Sequence, residues 1–208
     1  MNKYYFLLLF LALTQVYSQT NAVTEYGDQV ILYDDGSWEY VDQELNIDEE
    51  ISVNPIEFVK PDDSKFLLKS NAFNVGIWLN AKKWKFGKAE DNDEAEYELV
   101  LKGEDLYGTV ITEKVEIPLE ALQEIALLNA RDVAPDTKID FSEFRTVNGL
   151  KVLMIEMSGT ISGINFAYRG YYYSNENGTI QIIMYTSNSL MKHYDKEVDL
   201  LLNGIVGL

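Results

Sequence analysis

Cysteine is absent from the 208-residue sequence, and histidine occurs once, at His193. The absence of cysteine excludes disulfide bonds, thiol nucleophiles and a lipid anchor on a cysteine. With one histidine, the common zinc sites lack ligands, and Ser-His or Cys-His catalysis has little support. Because His193 lies beside an apolar stripe, we interpret it as a surface residue. No metal and no cofactor are predicted.

Basic residues are scarce: 17 lysines and arginines stand against 34 aspartates and glutamates, which gives a formal net charge of -17. A surface of this charge repels phosphate backbones and anionic lipid headgroups. Nucleic acid is therefore not predicted as a partner. The simplest interpretation of the charge is solubility, and capture of cations is the alternative. The G-x-S-x-G and Walker patterns are also missing.

Long apolar runs are missing except near the start, where Tyr4–Leu13 is continuously apolar or aromatic. A membrane-spanning helix needs about 20 such residues, so no integral membrane span is predicted. Lys3 before the run, and Val16 and Ser18 after it, match a secretory signal. We expect residues 1–18 to be a signal peptide and the protein to be exported, either periplasmic or secreted. An exported chain without disulfides relies on its core, which favours a bacterial protein.

An acid-rich stretch, Glu90–Glu94, is the place that could suggest calcium binding. An EF-hand loop starting at Asp91 would need an oxygen ligand at its fifth position and glycine at its sixth. Ala95 and Glu96 occupy those positions, so the EF-hand pattern fails. We predict a solvated loop here, and a looser cation site is the alternative.

The first segment after the signal, residues 19–42, has the pattern of a small β-meander. Asp35-Gly36 is a hairpin signal, because type I′ turns need positive φ at both central residues. Asp34 and Asp35 could instead form a carboxylate site, but a turn accounts for both. Residues 43–64 are rich in acids and contain prolines, which predicts an acidic linker.

Residues 65–208 alternate apolar and polar positions with a period of two, which is typical of strands. Tight hairpins are predicted at Asn148-Gly149 and Asn177-Gly178. The predicted strands are Phe66–Lys69, Phe73–Trp78, Tyr97–Leu101, Tyr107–Val115, Lys138–Val147, Lys151–Gly159, Ile164–Ser174 and Thr179–Ser187. Local hairpins of this kind predict a mostly antiparallel sheet.

Helical periodicity interrupts the strands twice. The first helix is predicted to begin near Pro118, which suits a first turn, and Pro135 ends it. The second is predicted over Ser189–Val206. Its apolar face consists of Leu190, Tyr194, Val198, Leu201, Leu202 and Ile205. The predicted fold class is α+β, a mostly antiparallel sheet flanked by helices.

Two stretches of this domain, FNVGIWLNAKKWKF at residues 73–86 and INFAYRGYYYSNENGTIQIIMYTS at residues 164–187, resemble the PsbP-like family. The closing helix through LLLNGIV completes the likeness, which covers residues 66–206. The resemblance implies an antiparallel sheet sandwiched by helices and a scaffolding or accessory binding role, and it brings no catalytic residues. Near the N-terminus, GDQVILYDDGSWEYV is similar to a segment that recurs in secreted Bacteroidota proteins.

A first candidate binding site is KKWKFGK at residues 82–88, which concentrates lysines in an acidic protein. The lysines could attract an anionic group while nearby tryptophans stack against a glycan or peptide. The candidate residues are Trp78, Lys82, Lys83, Trp84 and Lys85. Alternatively, the lysines pair with the acids at residues 90–98 and the aromatic side chains enter the core.

A second candidate is the tyrosine triplet at residues 171–173. Alternate side chains of a strand share a face, so Tyr171 and Tyr173 lie with Arg169. The opposite face carries Phe166, Tyr168 and Tyr172. One face must meet a helix, and the other could be a stacking platform for a sugar or peptide. We take Arg169, Tyr171 and Tyr173 as the candidates; alternatively, the tyrosines only fill half-buried sheet faces.

These observations favour an exported, non-catalytic binding or accessory module of the bacterial envelope, with an unknown protein, peptide or glycan partner. The alternative is a carboxylate-dependent hydrolase, because carboxylates are the abundant titratable groups. Two carboxylates buried together in a cleft with raised pKa values would favour the enzyme. A cleft lined by tyrosine and lysine without such a pair would favour binding.

Overall fold

The chain forms two compact units, residues 1–45 and residues 46–208. The computed structural model describes residues 19–23, 29–33, 36–40, 51–90, 92 and 94–208. The first unit contains three strands, β1 (Gln19–Val23), β2 (Gln29–Tyr33) and β3 (Trp38–Tyr40). They pair antiparallel in the order β1-β2-β3.

The turn between β2 and β3 closes around Gly36, whose φ of 82° is the left-handed conformation that favours glycine. The Gly36 amide donates to the Tyr33 carbonyl (3.0 Å), and the Tyr33 amide donates to the Ser37 carbonyl (2.9 Å). These bonds place Gly36 at the turn between β2 and β3, where the Asp35-Gly36 signal predicted a turn. Asp34 and Asp35 themselves lie outside the described residues.

The second unit is built from strands and two helices. Its strands are β4 (Ser52–Phe58), β5 (Phe66–Lys69), β6 (Val75–Leu79), β7 (Trp84–Lys88), β8 (Ala95–Leu101), β9 (Tyr107–Glu113), β10 (Lys138–Val147), β11 (Leu150–Ile161), β12 (Ile164–Asn175), β13 (Gly178–Ser187) and β14 (Ile205–Gly207). Its helices are α1 (Leu119–Val133) and α2 (Asn188–Leu202).

The strands of this unit form a large sheet and a small one. The large sheet has the order β4-β10-β11-β12-β13-β9-β8-β7, and the small sheet has the order β14-β6-β5. All pairs are antiparallel except β4 with β10, which is parallel. The hairpins β10-β11, β11-β12 and β12-β13 place the tyrosine-rich strand β12 in the middle of the large sheet.

Helix α2 packs on one face of the large sheet and forms the main core with it. Tyr194, Val198 and Leu201 come from α2, and Tyr171 and Met184 come from β12 and β13. Each of these side chains is at most 6% exposed. Removing this apolar surface from water is the main stabilising contribution to the fold.

Helix α1 packs on the opposite face, against β11 and β12. Its buried side chains are Leu122, Gln123, Ala126 and Leu127. Alternation along β12 explains why both faces are covered, because Tyr171 lies in the α2 core while its neighbour Tyr172 meets Ala126 across a cavity. Each face of the large sheet is therefore partly covered by a helix, one face by α2 and the other by α1.

The Asn148-Gly149 hairpin forms as predicted. Val147 pairs directly with Leu150, and both turn residues have positive φ, 49° for Asn148 and 79° for Gly149. This is the backbone geometry of a two-residue type I′ turn. Asn148 is tolerated there because asparagine visits the left-handed region more easily than most residues do.

The predicted turn at Asn177-Gly178 is wrong by one residue. Asn175 pairs with Gly178, so Glu176 and Asn177 make the turn and Gly178 begins β13. A Cβ at residue 178 would lie 2.4 Å from the Glu113 carbonyl oxygen. Glycine is required here by the close approach of β9 rather than by the turn.

The predicted acidic linker over residues 43–64 is wrong for Ser52–Phe58, which forms β4 at the edge of the large sheet. Most of its side chains are exposed, so the strand carries no apolar alternation that could reveal it. Pro55 is compatible with this place, because one side of an edge strand needs no amide donor. Phe58 fixes the strand's end, with its ring centroid 4.8 Å from the Arg145 guanidinium carbon.

The predicted closing helix is too long. Helix α2 ends at Leu202, and Ile205 lies in β14, opposite Ile77 of β6. Gly204 makes this change of direction possible, because a Cβ there would lie 2.0 Å from the Trp78 carbonyl oxygen. Ile205 is fully buried, as the apolar pattern of this segment indicated, but it belongs to a strand and not to the helix.

The fold class is α+β, with a mostly antiparallel sheet. Strands make up more of the molecule than the prediction of a helix-flanked sandwich implied, since the described residues of this unit hold two helices of 15 residues each. No helix within the described ranges combines the length and the apolar character needed to cross a membrane.

Candidate functional site

A cavity of about 400 Å³ opens between α1 and the large sheet; we call it the α1-face cavity. Helix α1 packs on β11 and β12, and side chains of β13, β9 and β8 beside them line the open space. The volume is in the range that small-molecule sites occupy.

The walls of this cavity combine aromatic, polar and acidic side chains on an apolar base. The tyrosines are Tyr168, Tyr172 and Tyr185. The other polar residues are Asn92, Glu94, Glu98, Thr109, Asn129 and Gln181. The apolar residues are Ile111, Ala126, Ala130, Val133, Met157 and Ile183. None of these described lining residues is basic.

Three tyrosines, which we call the tyrosine row, cross adjacent strands at one edge of the cavity. Tyr168 on β12 pairs with Tyr185 on β13, and Tyr185 pairs with Tyr107 on β9. The ring centroids lie 5.9 Å apart in the first pair and 5.8 Å apart in the second. Phe166 extends the row, with its centroid 4.5 Å from that of Tyr168. These spacings are favourable for aromatic pairs, so the row is a stable wall.

Two uncharged polar groups in the cavity have no hydrogen-bond partner in the part of the chain that the structure describes. Gln181 is 7% exposed, and its side-chain amide makes no such bond. Thr109 Oγ1 is buried and likewise unpaired. Leaving a buried polar group unpaired costs about 1–3 kcal/mol. Gln181 lines the cavity, and its amide is available to a molecule inside it, whereas Thr109 Oγ1 is too deeply buried to be reached directly.

The phenols around the cavity are held in their neutral form. Burial raises the pKa of Tyr168 and raises that of Tyr172 further. Burial, and after it the Glu98 carboxylate, raises the pKa of Tyr185. The three hydroxyls therefore remain protonated at neutral pH, and each can donate a hydrogen bond.

A second hollow of about 490 Å³ lies at the other side of the tyrosine row; we call it the end hollow. It shares Tyr168 and Tyr185 with the α1-face cavity and is also lined by Tyr107. Its remaining lining residues are Asp105, Ile161, Ser162, Ile164, Phe166, Thr186, Ser187 and Leu190. The two hollows are thus neighbours with a common aromatic wall.

No protein-family model matches the chain, and no curated protein sequence matches it. Solved structures do match. Cyanobacterial PsbP (CyanoP) from Synechocystis sp. PCC 6803 aligns over 71% of this chain and 95% of its own, with a TM-score of 0.53 and 11% sequence identity. The chain has a PsbP-like fold.

Two further solved structures are similar to this chain, whose second unit, residues 46–208, we call the PsbP-like domain. A Pseudomonas aeruginosa protein of unknown function covers 69% of this chain and 96% of its own, at 12% identity and a TM-score of 0.44. LpqN, involved in cell envelope biogenesis of Mycobacterium tuberculosis, aligns over 76% of this chain and 92% of its own length, at 10% identity and a TM-score of 0.36. At such identities the likeness concerns the fold alone.

The fold places the predicted lysine and tryptophan residues in different environments, some in the core and some at the surface. Trp84 is 3% exposed and belongs to the core, so its ring is not open to a ligand. Lys83 Nζ lies 2.8 Å from a Glu197 carboxylate oxygen on α2. The aromatic side chain therefore enters the core, as the alternative interpretation held, but Lys83 pairs with the helix rather than with residues 90–98.

Lys82, Lys85 and Trp78 remain nearer the surface. The two lysine side chains are exposed. Lys60 Nζ lies 5.2 Å from the centroid of the Trp78 ring, so a cation of the protein itself already occupies that face. A ligand-binding role for these three residues stays a prediction.

Tyr171 was predicted to be open to a ligand, and the structure contradicts this. Its side chain is fully buried in the α2 core. Its hydroxyl accepts a hydrogen bond from Arg145 Nη1 and donates one to Asn203 Oδ1, both at 2.9 Å. The residue therefore joins β10, β12 and the end of α2, which satisfies the hydroxyl inside the core.

Arg169 and Tyr173, on the same face as Tyr171, have partners within the domain, and their role in ligand binding stays a prediction. Arg169 lies 2.9 Å from Asp195 and 3.3 Å from Asp199, both on α2. Tyr173 is half-buried, and its hydroxyl accepts a hydrogen bond from Asn175 at 3.0 Å. This face meets α2, so a stacking platform could lie only on the opposite face, which carries Tyr168 and Tyr172.

The two described carboxylates with shifted pKa values, Glu96 and Asp136, are not suited to donate a proton. Burial raises the pKa of Glu96, but hydrogen bonds outweigh it and the net shift is downward; a backbone hydrogen bond lowers the pKa of Asp136. Downward shifts are opposite to what a general acid needs. The buried Glu143 is neutralised by Arg145. Within the described ranges, no three His, Asp or Glu side chains gather into a group that could hold a metal ion.

Proposed function

We propose that this protein is an exported accessory module that binds a small or elongated ligand in the α1-face cavity. One observation carries the proposal: an aromatic-walled cavity is lined by Gln181, whose side-chain amide has no hydrogen-bond partner among the described residues. Evolution of a stable core alone would favour apolar groups at such places, because an unpaired buried polar group is destabilising. An unpaired polar group supports a binding site only where it also lines a cavity, as Gln181 does.

Export to the bacterial envelope is the second part of the proposal. It rests on the signal-like segment at residues 1–18 and on the absence of cysteine. The finer description of the fold, a sheet sandwiched by α1 and α2, belongs to the proposal as well, since α1 forms the roof of the cavity.

Gln181→Leu tests the binding site. Leucine has a similar size and removes the unpaired amide, so we expect the unfolding midpoint to stay equal or to rise while ligand binding weakens. The probe is a library of neutral, cationic and anionic fragments, detected by chemical-shift changes in NMR spectra. We expect the changes to concentrate on residues that line the α1-face cavity.

Gln123→Leu is the matched control. Gln123 is 3% exposed and its Oε1 is also buried and unpaired, but it does not line the cavity. We expect this variant to gain stability in the same way and to keep fragment binding. Fragments that perturb no cavity residue, or that bind Gln181→Leu as well as wild type, would contradict the proposal.

A further inference from the structure

The two hollows beside the tyrosine row can be occupied by one molecule. Tyr168 and Tyr185 line both of them, and Tyr107 continues the row beyond Tyr185 into the end hollow. Tyr107 is 38% exposed, so the end of the row is open to solvent. A ligand that covers both sides of the row must be elongated, because each hollow alone has the volume of a small-molecule site.

The charge of the walls disfavours an anionic ligand. Glu98 lines the α1-face cavity and Asp105 lines the end hollow, and no basic side chain is among the described residues that line either space. An anionic ligand would meet carboxylates without a compensating cation. The side-chain amide of Gln181 can form hydrogen bonds of both kinds, since it has a donor group and an acceptor oxygen.

The tyrosine row favours a ligand that has an apolar face as well as hydroxyl groups. An aromatic ring presents a negative face to which the C–H groups of a flat ligand are attracted. A pyranose ring has such a C–H face and a rim of hydroxyls that both donate and accept. An acyl chain would leave Gln181 unpaired, and a peptide that binds by adding a strand would need a free strand edge, whereas the row lies on a sheet face.

We infer that the α1-face cavity and the end hollow together bind a neutral oligosaccharide, stacked along Tyr168, Tyr185 and Tyr107 and hydrogen-bonded through Gln181. This inference rests on the proposed function and names its ligand. Glu98, which lines the α1-face cavity, and Asp105, which lines the end hollow, supply acceptors for sugar hydroxyls. The sugar units on either side of the row would be held by different residues, so affinity depends on chain length.

The test is calorimetric titration of the full-length exported protein with neutral tetrasaccharides of glucose, mannose, xylose and N-acetylglucosamine. The corresponding disaccharides, an oligogalacturonate and an oligolysine peptide are titrated beside them. We expect a neutral tetrasaccharide to bind at least about tenfold more tightly than its disaccharide, and the oligogalacturonate not to bind. Binding of the oligolysine peptide or the oligogalacturonate, with no neutral sugar bound, would overturn the inference.

Two variants locate the binding. Tyr107→Ala, which removes a side chain that lines the end hollow and not the α1-face cavity, should weaken tetrasaccharide binding about three- to tenfold, as expected for the loss of one aromatic contact, and leave the fragments of the α1-face cavity bound. Phe66→Ala, which removes an aromatic side chain of similar exposure (41%) in the small sheet, should change neither.

The outcomes separate the two proposals. Fragments that bind in the α1-face cavity while every neutral oligosaccharide fails would overturn the oligosaccharide inference and leave the binding function standing. Oligosaccharide binding that both Gln181→Leu and Tyr107→Ala leave unchanged would overturn the inference as well. Failure of fragments and sugars alike would overturn both.

Discussion

At the scale of single residues, Asn148 closes a turn and joins three parts of the PsbP-like domain. Its Oδ1 accepts a hydrogen bond from the Lys60 amide at 2.8 Å. Its Nδ2 donates to the carbonyls of Asn203 at 2.9 Å and Ile205 at 2.7 Å. The same side chain therefore holds the segment after β4 and the segment between α2 and β14.

We predict that Asn148→Gly lowers the free energy of unfolding by about 2–4 kcal/mol, because three hydrogen bonds of about 0.5–1.5 kcal/mol each are lost. Glycine keeps the positive φ of the turn, so the backbone itself should not be strained. Chemical denaturation of the variant and the wild type measures the difference.

Ser162→Gly is the matched control for Asn148→Gly. Ser162 has φ of 50° and precedes Gly163 in the equivalent turn between β11 and β12. Its exposed side chain makes no hydrogen bond within the described residues. Both variants gain the same chain entropy in the unfolded state, so this one should cost under about 1 kcal/mol. Equal losses in the two variants would show that the Asn148 contacts do not stabilise the domain.

Glu96 is a second residue that stabilises the domain in a way that the sequence pattern does not reveal. Burial opposes its charge, but Thr112 Oγ1 and Asn71 Nδ2 each donate to its carboxylate at 2.7 Å and hold its pKa below the ordinary value of 4.5. A lowered pKa means that the contribution to stability is present above about pH 4.5 and is lost as the pH falls through the native-state pKa.

We therefore predict that Glu96→Gln is less stable than wild type near neutral pH and that the difference shrinks below about pH 4. Thermal unfolding at a series of pH values gives the measurement. Glu124→Gln, which changes an exposed carboxylate on α1 without a side-chain hydrogen bond in the described chain, should follow wild type throughout. A Glu96→Gln deficit that persists unchanged in acid would disprove the electrostatic explanation.

At the scale of elements, α2 is the helix whose docking decides the core. Its buried residues are Met191, Tyr194, Val198, Leu201 and Leu202. Arg169, on β12, adds ion pairs to Asp195 and Asp199 on the flank of the helix. Burial of the stripe supplies the energy of docking, and the ion pairs fix the rotation of the helix about its axis.

Leu201→Ala tests this docking. Leu201 is 1% exposed, and its truncation should cost about 2–5 kcal/mol because a cavity is left in the core. Lys196→Ala, on the exposed side of α2, should cost under about 0.5 kcal/mol. Urea denaturation of both variants compares them directly, and equal midpoints would mean that α2 is not held through this face.

At the scale of the whole molecule, the charge excess dominates. A net charge of -17 makes the folded chain repel itself, and salt screens this repulsion. Between roughly 0.01 M and roughly 0.15 M NaCl the screening length falls from about 30 Å to about 8 Å. We predict that the thermal midpoint rises over this range. A midpoint that falls instead would mean that specific ion pairs contribute more than the excess charge does.

Much of the secondary structure could be predicted from local pattern. Alternation of apolar and polar residues predicted the central strands, and helical spacing predicted α1 and α2. Asn148-Gly149 predicted the hairpin between β10 and β11, because turn geometry depends on the turn residues themselves. The edge strand β4 could not be predicted, because exposed side chains carry no periodic signal. The end of α2 was also misplaced, since Gly204 acts through contact with Trp78, which is distant in sequence.

The candidate site was decided by tertiary structure. The sequence by itself determined that Tyr171 and Tyr172 point to opposite faces of one strand, because the side-chain period of a strand is two. It could not determine which face α2 would cover, since both faces carry tyrosines. Packing buried Tyr171 against α2 and left Tyr172 with Gln181 in the α1-face cavity. Tyr107, Tyr168 and Tyr185 became a row only when sheet register placed β9, β12 and β13 side by side.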